Sequence, residues 1–190
     1  MSLSFLSFLS RPALALALGL GALSAADIDG VHSTALFTIN HLGASNFIGR
    51  FDDVKGTIEF DAADVAKDKV TITIATDSVD TNFTKRDQHL KSPDFFDAKQ
   101  FPTIEFVSDS FKKTGEKEYE VAGNLTLHGV TKPITVKVIN TGEGKDPSGA
   151  DHVGFHTEFT VKRTDYGMDK MVGLVGDEVK VELSTEYMHP

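Results

Sequence analysis

The chain has 190 residues, of which 40% are apolar and 25% are charged, a balance typical of one globular domain with a sizeable core. Its formal net charge of −9 makes nucleic acids and anionic membrane surfaces poor partners. Cysteine is absent, which excludes disulfides, thiolate metal sites, a cysteine nucleophile and a lipid-modified N-terminal cysteine.

The first 26 residues are predicted to form a secretory signal peptide that is not part of the fold. Arg11 precedes an apolar run over residues 12–23, which is shorter than the roughly 20 residues of a membrane span. Ser24 and Ala26 then have the small-x-small spacing of a cleavage site. We expect cleavage after Ala26, with cleavage after Ser24 as the second choice and an uncleaved anchor as the competing interpretation. The folded domain is then residues 27–190.

Past the signal, apolar and polar residues alternate with a period of two, which indicates β-strands with one apolar and one polar face. The alternation occurs in eight segments, at residues 34–40, 54–60, 69–74, 103–106, 119–127, 134–138, 153–162 and 178–183. Because the polar face must meet water, the sheet is predicted to be antiparallel. Closure would hide the sheet edges, so the pattern predicts an all-β, eight-stranded antiparallel β-barrel.

Residues 84–97 interrupt this alternation and predict a short helix followed by a turn. Thr84 or Asn82 is the candidate N-cap, because a short side-chain oxygen can accept from the free amides of the first turn. Pro93 biases the residue before it away from helical geometry, so the helix is expected to end near Lys91.

The apolar residues of this insertion predict how it packs. Phe83 and Leu90 are seven residues apart and would share one face of the helix. Phe95 and Phe96 follow as an apolar pair. We therefore expect the insertion to close one end of the barrel, with the two phenylalanines as its anchor.

The sequence offers no recognisable catalytic or metal-binding motif. A His-Glu-x-x-His helix, a Gly-x-Ser-x-Gly elbow and a phosphate-binding loop are all missing. His152 and His156 would lie roughly 13 Å apart along a strand, too far to share an ion. His32, His41 and His128 fall near different strand ends and are expected to be rim or turn histidines. We predict no catalytic residue, no metal and no cofactor, and so a protein that is not an enzyme.

The inward-facing positions of the predicted strands are apolar. The residues that could make polar contacts with a ligand lie at strand ends and in the insertion. From composition, the interior could be an ordinary packed core or a ligand channel. Arg50 and Arg86 could contact a polar headgroup at the barrel rim, since guanidinium groups bind phosphates and carbonyls. Alternatively, Arg86 pairs with Asp87 or Asp97 and only holds the helix in place.

Several motifs together resemble one protein family. Residues 29–33 (Asp-Gly-Val-His-Ser) and 37–43 (Phe-Thr-Ile-Asn-His-Leu-Gly) are similar to the opening of the YceI-like family, whose members are periplasmic polyisoprenoid-binding proteins with a lipocalin-like barrel. Further similar motifs, in the family's order, are residues 49–51, 56–60, 85–90, 94–97, 101–106, 123–133 and 175–179. True lipocalins carry Gly-x-Trp near the first strand, and this chain has no tryptophan.

The resemblance implies an exported, periplasmic barrel that stores or transports an isoprenoid chain, such as a quinone tail or a polyprenyl phosphate, in an apolar channel. The channel residues would be Phe37, Ile39, Phe51, Ile58, Ile72, Ile74, Phe96, Phe106, Leu125, Leu127, Val136, Phe155, Phe159 and Val181. The polar rim would be His41, Arg50, Arg86 and Asp87. The segment 166–172 is shorter than in many family members, which affects one channel mouth.

Two other functions compete with a carrier. One is an isoprenoid-modifying enzyme with histidine or aspartate at the rim as acid and base. The other is a structural or partner-binding barrel with a filled core. The expected partner is an isoprenoid lipid and not nucleic acid; transient contact with a membrane enzyme or membrane surface, and a homodimer, stay open.

Overall fold

The computed structural model describes residues 25–62 and 64–189, and within these ranges the regular structure consists mostly of β-strands, with one short α-helix. The strands are β1 (Ala26–Ile28), β2 (Thr34–His41), β3 (Ser45–Phe51), β4 (Val54–Glu59), β5 (Lys69–Ala75), β6 (Val79–Asp80), β7 (Thr103–Lys113), β8 (Glu118–Leu127), β9 (Val130–Lys145), β10 (Asp151–Lys162) and β11 (Val175–His189). The helix is α1 (Thr84–Leu90), and 3-10 turns occur at Val65–Lys67, Thr76–Ser78 and Arg163–Tyr166.

The strands form a closed antiparallel barrel of eight, as predicted, with one short helix. The ring is β1-β4-β5-β7-β8-β9-β10-β11, and it closes because β1 pairs with β4 on one side and with β11 on the other. Strand β2 pairs with the first part of β11, and β3 and β6 continue from β2. The eight ring strands therefore include β1 in place of the predicted strand at 34–40.

Sequence alternation missed β1, β3 and β6. In β3 the inward positions are Phe47, Gly49 and Phe51, and the glycine interrupts the apolar pattern. Gly49 is needed because a Cβ there would lie 2.3 Å from Cζ of Phe37 on the paired strand. Ile48 points outward and is exposed, which disguises the alternation further. Strands β1 and β6 have three and two residues, too few to show a period.

The helix ends where predicted but does not have the predicted N-cap. It ends at Leu90 with Lys91 as its C-cap. Its N-cap is Phe83, which makes no side-chain capping bond, so the expected caps Asn82 and Thr84 are wrong. Phe83 is also 54% exposed instead of packing beside Leu90, whereas Leu90 does pack against the core.

The predicted anchor of the insertion does pack on the barrel. Phe95 is buried, and the ring of Phe96 meets that of Phe51 edge-on with centroids 5.4 Å apart. The insertion therefore covers the barrel at the end where β11 begins.

The other end of the barrel, called the closed end below, is filled by aromatic rings. The ring of Phe60 packs edge-on against those of Tyr119 and Phe155, with centroids 5.5 and 5.1 Å away. Tyr187 packs against Phe155 in the same way, and burial raises the pKa of its phenol to about 12. Ala26, the first residue of β1, is fully buried in the same cluster.

Two features bear on the predicted leader and on membranes. Residues 1–24 of the predicted signal peptide lie outside the described residues, whereas Ala26 is paired with Ile58 in the barrel. Within the described part of the chain, none of the helices has the length and apolar character needed to cross a bilayer.

Candidate functional site

The barrel encloses a cavity of about 410 Å³ whose wall is almost wholly apolar. Side chains from nine strands, α1 and the segments after α1 and β10 line it. All the residues predicted for an apolar channel lie on this wall: Phe37, Ile39, Phe51, Ile58, Ile72, Ile74, Phe96, Phe106, Leu125, Leu127, Val136, Phe155, Phe159 and Val181. A concave apolar cavity of a few hundred Å³ is typical of small-molecule sites and argues against a filled core.

Polar groups on the wall concentrate at the end of the barrel covered by α1. His41 at the end of β2, Ser45 at the start of β3, and Arg86 and His89 on α1 all reach the cavity there, beside Met171. We call this end of the cavity the mouth. An apolar interior with a few polar groups at one end suits a ligand with a long hydrocarbon part and a polar head.

Arg86 of α1 is a charged residue that lines the mouth, and Thr81 holds its guanidinium. Its Nε donates to Thr81 Oγ1 at 2.7 Å and its Nη2 to the Thr81 carbonyl at 2.6 Å. The guanidinium lies 4.2 Å from the centroid of the Phe47 ring and 5.6 Å from that of Phe83, within cation–π range. Among the described residues Arg86 forms no ion pair, so the alternative pairing with Asp87 or Asp97 does not occur there.

Asp87 is not at the rim. One of its carboxylate oxygens accepts from the backbone N–H of Thr81 at 2.9 Å and also from the Thr81 hydroxyl. Asp87 therefore fixes Thr81, which in turn orients Arg86. Its contribution to the mouth is indirect.

Arg50 also lies away from the cavity. It sits on the outward face of β3 and is 55% exposed, and its guanidinium lies 2.9 Å from both the Asp52 and the Asp80 carboxylates. Successive side chains of a strand point to opposite faces, so Arg50 points away from the cavity when Phe47 and Phe51 point into it. Strand alternation would have indicated this direction if β3 had been recognised.

Arg163 is a wall residue that the sequence analysis missed. It is only 3% exposed, and it donates to the backbone carbonyls of Met168, Lys170, Val175 and Gly176 at 2.5 to 3.1 Å. Burial lowers the pKa of its guanidinium, and the charges of nearby aspartates oppose that shift. Strand alternation could have identified Arg163 as a wall residue, because position 163 continues the series of inward-facing positions of β10.

The segment that Arg163 holds and the turn between β2 and β3 together carry an exposed apolar rim, which we call the collar: Leu42, Met171, Val172 and Leu174. The two loops that form it are joined by a hydrogen bond from the Leu42 N–H to the Leu174 carbonyl at 2.8 Å. The collar therefore borders the mouth with uncharged apolar side chains. Exposed apolar groups gathered at one place indicate a contact surface.

The mouth also contains one histidine–carboxylate pair. His89 Nε2 lies 3.0 Å from Asp94 Oδ2, and Lys170 Nζ lies 3.5 Å from the other oxygen of Asp94. These neighbours lower the pKa of Asp94, chiefly through the His89 hydrogen bond. A paired imidazole at the edge of a cavity could transfer a proton, so it is where acid–base chemistry would take place.

Comparisons with known proteins agree with this architecture. A family model described as YceI-like domain matches residues 27–187. A UPF0312 protein of Shewanella denitrificans is 43% identical over 162 residues, which cover 84% of each chain. The crystal structure of Burkholderia cenocepacia BcnA has a TM-score of 0.77 at 24% identity, covering 84% of this chain and 98% of that one. A polyisoprenoid binding domain from Saccharophagus degradans, implicated in plant cell wall breakdown, has a TM-score of 0.70 at 17% identity, with coverages of 89% and 100%.

Proposed function

The chain belongs to the YceI-like domain family, and from this premise we propose that it is an exported lipid-binding protein that holds a polyisoprenoid chain in its barrel for storage or transport. The observation that carries the proposal is the mostly apolar cavity with His41, Arg86 and His89 at its mouth. The Saccharophagus degradans domain of the same fold is a polyisoprenoid binding domain, which supports the ligand class.

The energetics of such a ligand favour a cavity of this kind. Removal of hydrocarbon from water contributes roughly 0.8 kcal/mol per CH₂, before the costs of ordering the ligand. A prenyl chain is apolar along its whole length, so it gains from a mostly apolar wall, whereas its head needs a polar partner. Arg86 is placed to supply that partner for a phosphate or quinone head.

The test combines native mass spectrometry with a matched pair of variants. Protein purified without detergent should carry a bound lipid, and only the apo mass would count against the proposal. Arg86→Ala should weaken binding of a polyprenyl phosphate while leaving a plain prenyl hydrocarbon unaffected. Arg50→Ala, which removes an arginine outside the cavity, should change neither. Equal weakening of both ligands by Arg86→Ala, with a lower melting temperature, would show that Arg86 is only structural.

Export to the periplasm is part of the proposal and rests on the predicted signal peptide. Cleavage after Ser24 would leave β1 whole, whereas cleavage after Ala26 would remove its buried first residue. We therefore expect N-terminal sequencing of exported protein to begin at Ala25. An intact Met1 on exported protein would rule out the cleaved signal.

Transport requires exchange with a membrane, and the collar is the surface that we propose for it. The collar is uncharged, so zwitterionic vesicles suit this acidic protein better than anionic ones. Val172→Ser with Leu174→Ser should slow transfer of a fluorescent prenyl lipid from phosphatidylcholine vesicles. Val107→Ser with Ile139→Ser, which changes exposed apolar residues on the outer strand faces, is the control. Equal transfer by both double variants would contradict a role for the collar.

An isoprenoid-modifying enzyme is the second candidate, and among the described residues the His89–Asp94 pair at the mouth is the observation that favours it. We propose binding without turnover. The lipid should be recovered chemically unchanged after long incubation at several pH values. A product that forms with wild type and not with His89→Gln would establish the enzyme instead.

A further inference from the structure

Five ionisable side chains meet on the outside of the barrel near its closed end, away from the mouth. Asp29 and His32 follow β1, Asp146 lies in the turn between β9 and β10, and His152 and Glu186 lie on β10 and β11. The pairing of β10 with β11 brings the last two together, and the Asp29 N–H donates to the Glu186 carbonyl at 2.8 Å. The group is therefore assembled by the strands that close the barrel.

Three of these residues have the geometry of a metal site. Asp29, His152 and Glu186 each place one potential ligand atom within 4.8 Å of the other two. His152 Nδ1 lies 2.6 Å from Glu186 Oε1, and His32 Nδ1 lies 2.6 Å from Asp29 Oδ2. We propose that Asp29, His152 and Glu186 bind a divalent first-row transition ion such as Zn²⁺, with the exposed His32 as fourth ligand. Imidazole and carboxylate ligands together suit such ions.

The surroundings of His152 show why a cation belongs there. Its side chain is only 17% exposed, and its Nε2 is buried without a hydrogen-bond partner among the described residues. Asp146 Oδ2 lies 3.8 Å from that Nε2, while Glu186 faces Nδ1. A neutral imidazole has one N–H, so in either tautomer a lone pair is turned toward a carboxylate.

A metal ion at Nδ1 removes this conflict. The Nδ1 lone pair then binds the ion, and Nε2–H can be donated to Asp146, the arrangement usual behind metal-bound histidines. A proton on His152 would remove the conflict as well, by forming an imidazolium between the two carboxylates. The experiment must therefore separate an ion from a proton.

A second group, His156, Glu158 and Glu182, meets the same distance criterion on the outer face but is a weaker candidate. Lys180 Nζ lies 2.9 Å from Glu158 Oε2 and already supplies a cation. We propose no ion for this group.

Binding at the proposed site would tie the closing strand to the barrel. Asp29 directly follows the three-residue β1, whereas His152 and Glu186 belong to long strands of the ring. An ion bound by all three stabilises the closed barrel relative to the open chain. The melting temperature is therefore a second readout of binding.

The experiment is calorimetric titration of EDTA-treated protein with ZnCl₂, together with melting curves. Wild type should bind one Zn²⁺ per chain and melt at a higher temperature with zinc than without it. His152→Gln, Asp29→Asn and Glu186→Gln should each weaken zinc binding at least ~10-fold, and Asp146→Asn about 10–100-fold. His89→Gln is the matched control, because it removes a histidine with one carboxylate partner and no third ligand.

No heat and no melting shift with excess ZnCl₂ would overturn the proposal. Zinc binding that survives Asp29→Asn and Glu186→Gln, or that is lost in His156→Gln, would place the ion elsewhere and overturn it too. Should His152→Gln fail to fold, the two carboxylate variants decide alone, since their side chains are partly exposed and the changes are isosteric.

Discussion

Asp68 is the residue whose protonation the fold alters most clearly. It is 4% exposed, and one carboxylate oxygen accepts from the Asp61 N–H at 2.8 Å while the other has no hydrogen-bond partner among the described residues. Burial raises the pKa of Asp68 from 3.8 to about 6, against the opposing effect of that backbone hydrogen bond. At neutral pH the folded protein therefore holds a carboxylate that burial disfavours.

This shift predicts a pH dependence of stability. Below about pH 4 the carboxyl is protonated in both folded and unfolded chains, and up to about pH 6 chiefly the folded chain keeps its proton. The stability that protonated Asp68 contributes is thus lost as pH rises from about 4 through 6. Asp68→Asn removes this dependence, so the stability of wild type relative to the variant should be greater at pH 5 than at pH 7. Urea unfolding of both proteins at the two pH values measures it.

The comparison with Asp68→Asn also controls for other groups. Aspartates such as Asp29 and Asp177 have lowered pKa values because of their hydrogen bonds, and their effect on stability runs in the opposite direction. Both proteins contain them, so they cancel in the difference. Parallel pH profiles for wild type and variant would contradict the raised pKa of Asp68.

At the level of residues, strand parity predicted the cavity wall well and its polar groups poorly. The predicted apolar wall residues of the recognised strands lie on the cavity, because alternation fixes which side of a strand faces in. Phe51 and Phe96 lie on it too, but they fall outside those strands and were expected from the family resemblance. Arg50 was assigned to the rim because β3 was not recognised, and with it the outward direction of Arg50. Arg163 was missed because an inward arginine is unexpected until the carbonyls that it binds are known.

At the level of elements, Arg163 is the residue that fixes the segment between β10 and β11. Its four hydrogen bonds reach carbonyls at both ends of the 168–176 segment, which carries most of the collar. Arg163→Met should lower the free energy of unfolding by about 3 kcal/mol, because one buried and three part-buried carbonyls lose their donor. Arg163→Lys should cost nearly as much, since an ammonium cannot replace the planar guanidinium.

The control for Arg163 is Arg50→Met. Arg50 makes only exposed ion pairs, so its loss should change stability by less than about 1 kcal/mol. Urea unfolding of the three variants gives the comparison. Equal stabilities of Arg163→Met and Arg50→Met would mean that the carbonyls find water and that the segment needs no clamp.

Elements with a long regular pattern were predictable, and the others were not. The strands from β7 to β11 show clear alternation, and the insertion with α1 stood out because it interrupts that alternation. The start of α1 was misplaced because tertiary contacts overrode capping preference: Phe83 takes the N-cap position and lies beside the Arg86 guanidinium. Gly49 in β3 could be explained only once Phe37 was placed opposite it.

At the level of the whole molecule, the closure of the barrel depends on its shortest ring strand. The alternation predicted eight strands and a closed sheet, but no local pattern in three residues can identify β1 as the closing strand. Only the pairing of Asp27 with both Thr57 on β4 and Met188 on β11 shows it. Closure depends on pairing between strands that are far apart in the sequence. Alternation within single strands could therefore predict a barrel without identifying β1 as the strand that completes it.

The short closing strand β1 is expected to open locally before the rest of the barrel unfolds. Strand β1 has two register pairs with each neighbour, whereas β8 has eight with β7 and ten with β9. Fewer hydrogen bonds have to break to release β1, although Ala26 is buried, so we expect β1 to open without unfolding of the rest. In native-state hydrogen exchange, the amides of Ile28 and Asp29 should exchange well before that of Val121 on β8. Exchange of β1 and β8 at the same rate, with the same dependence on urea, would instead mean that the ring opens only by global unfolding.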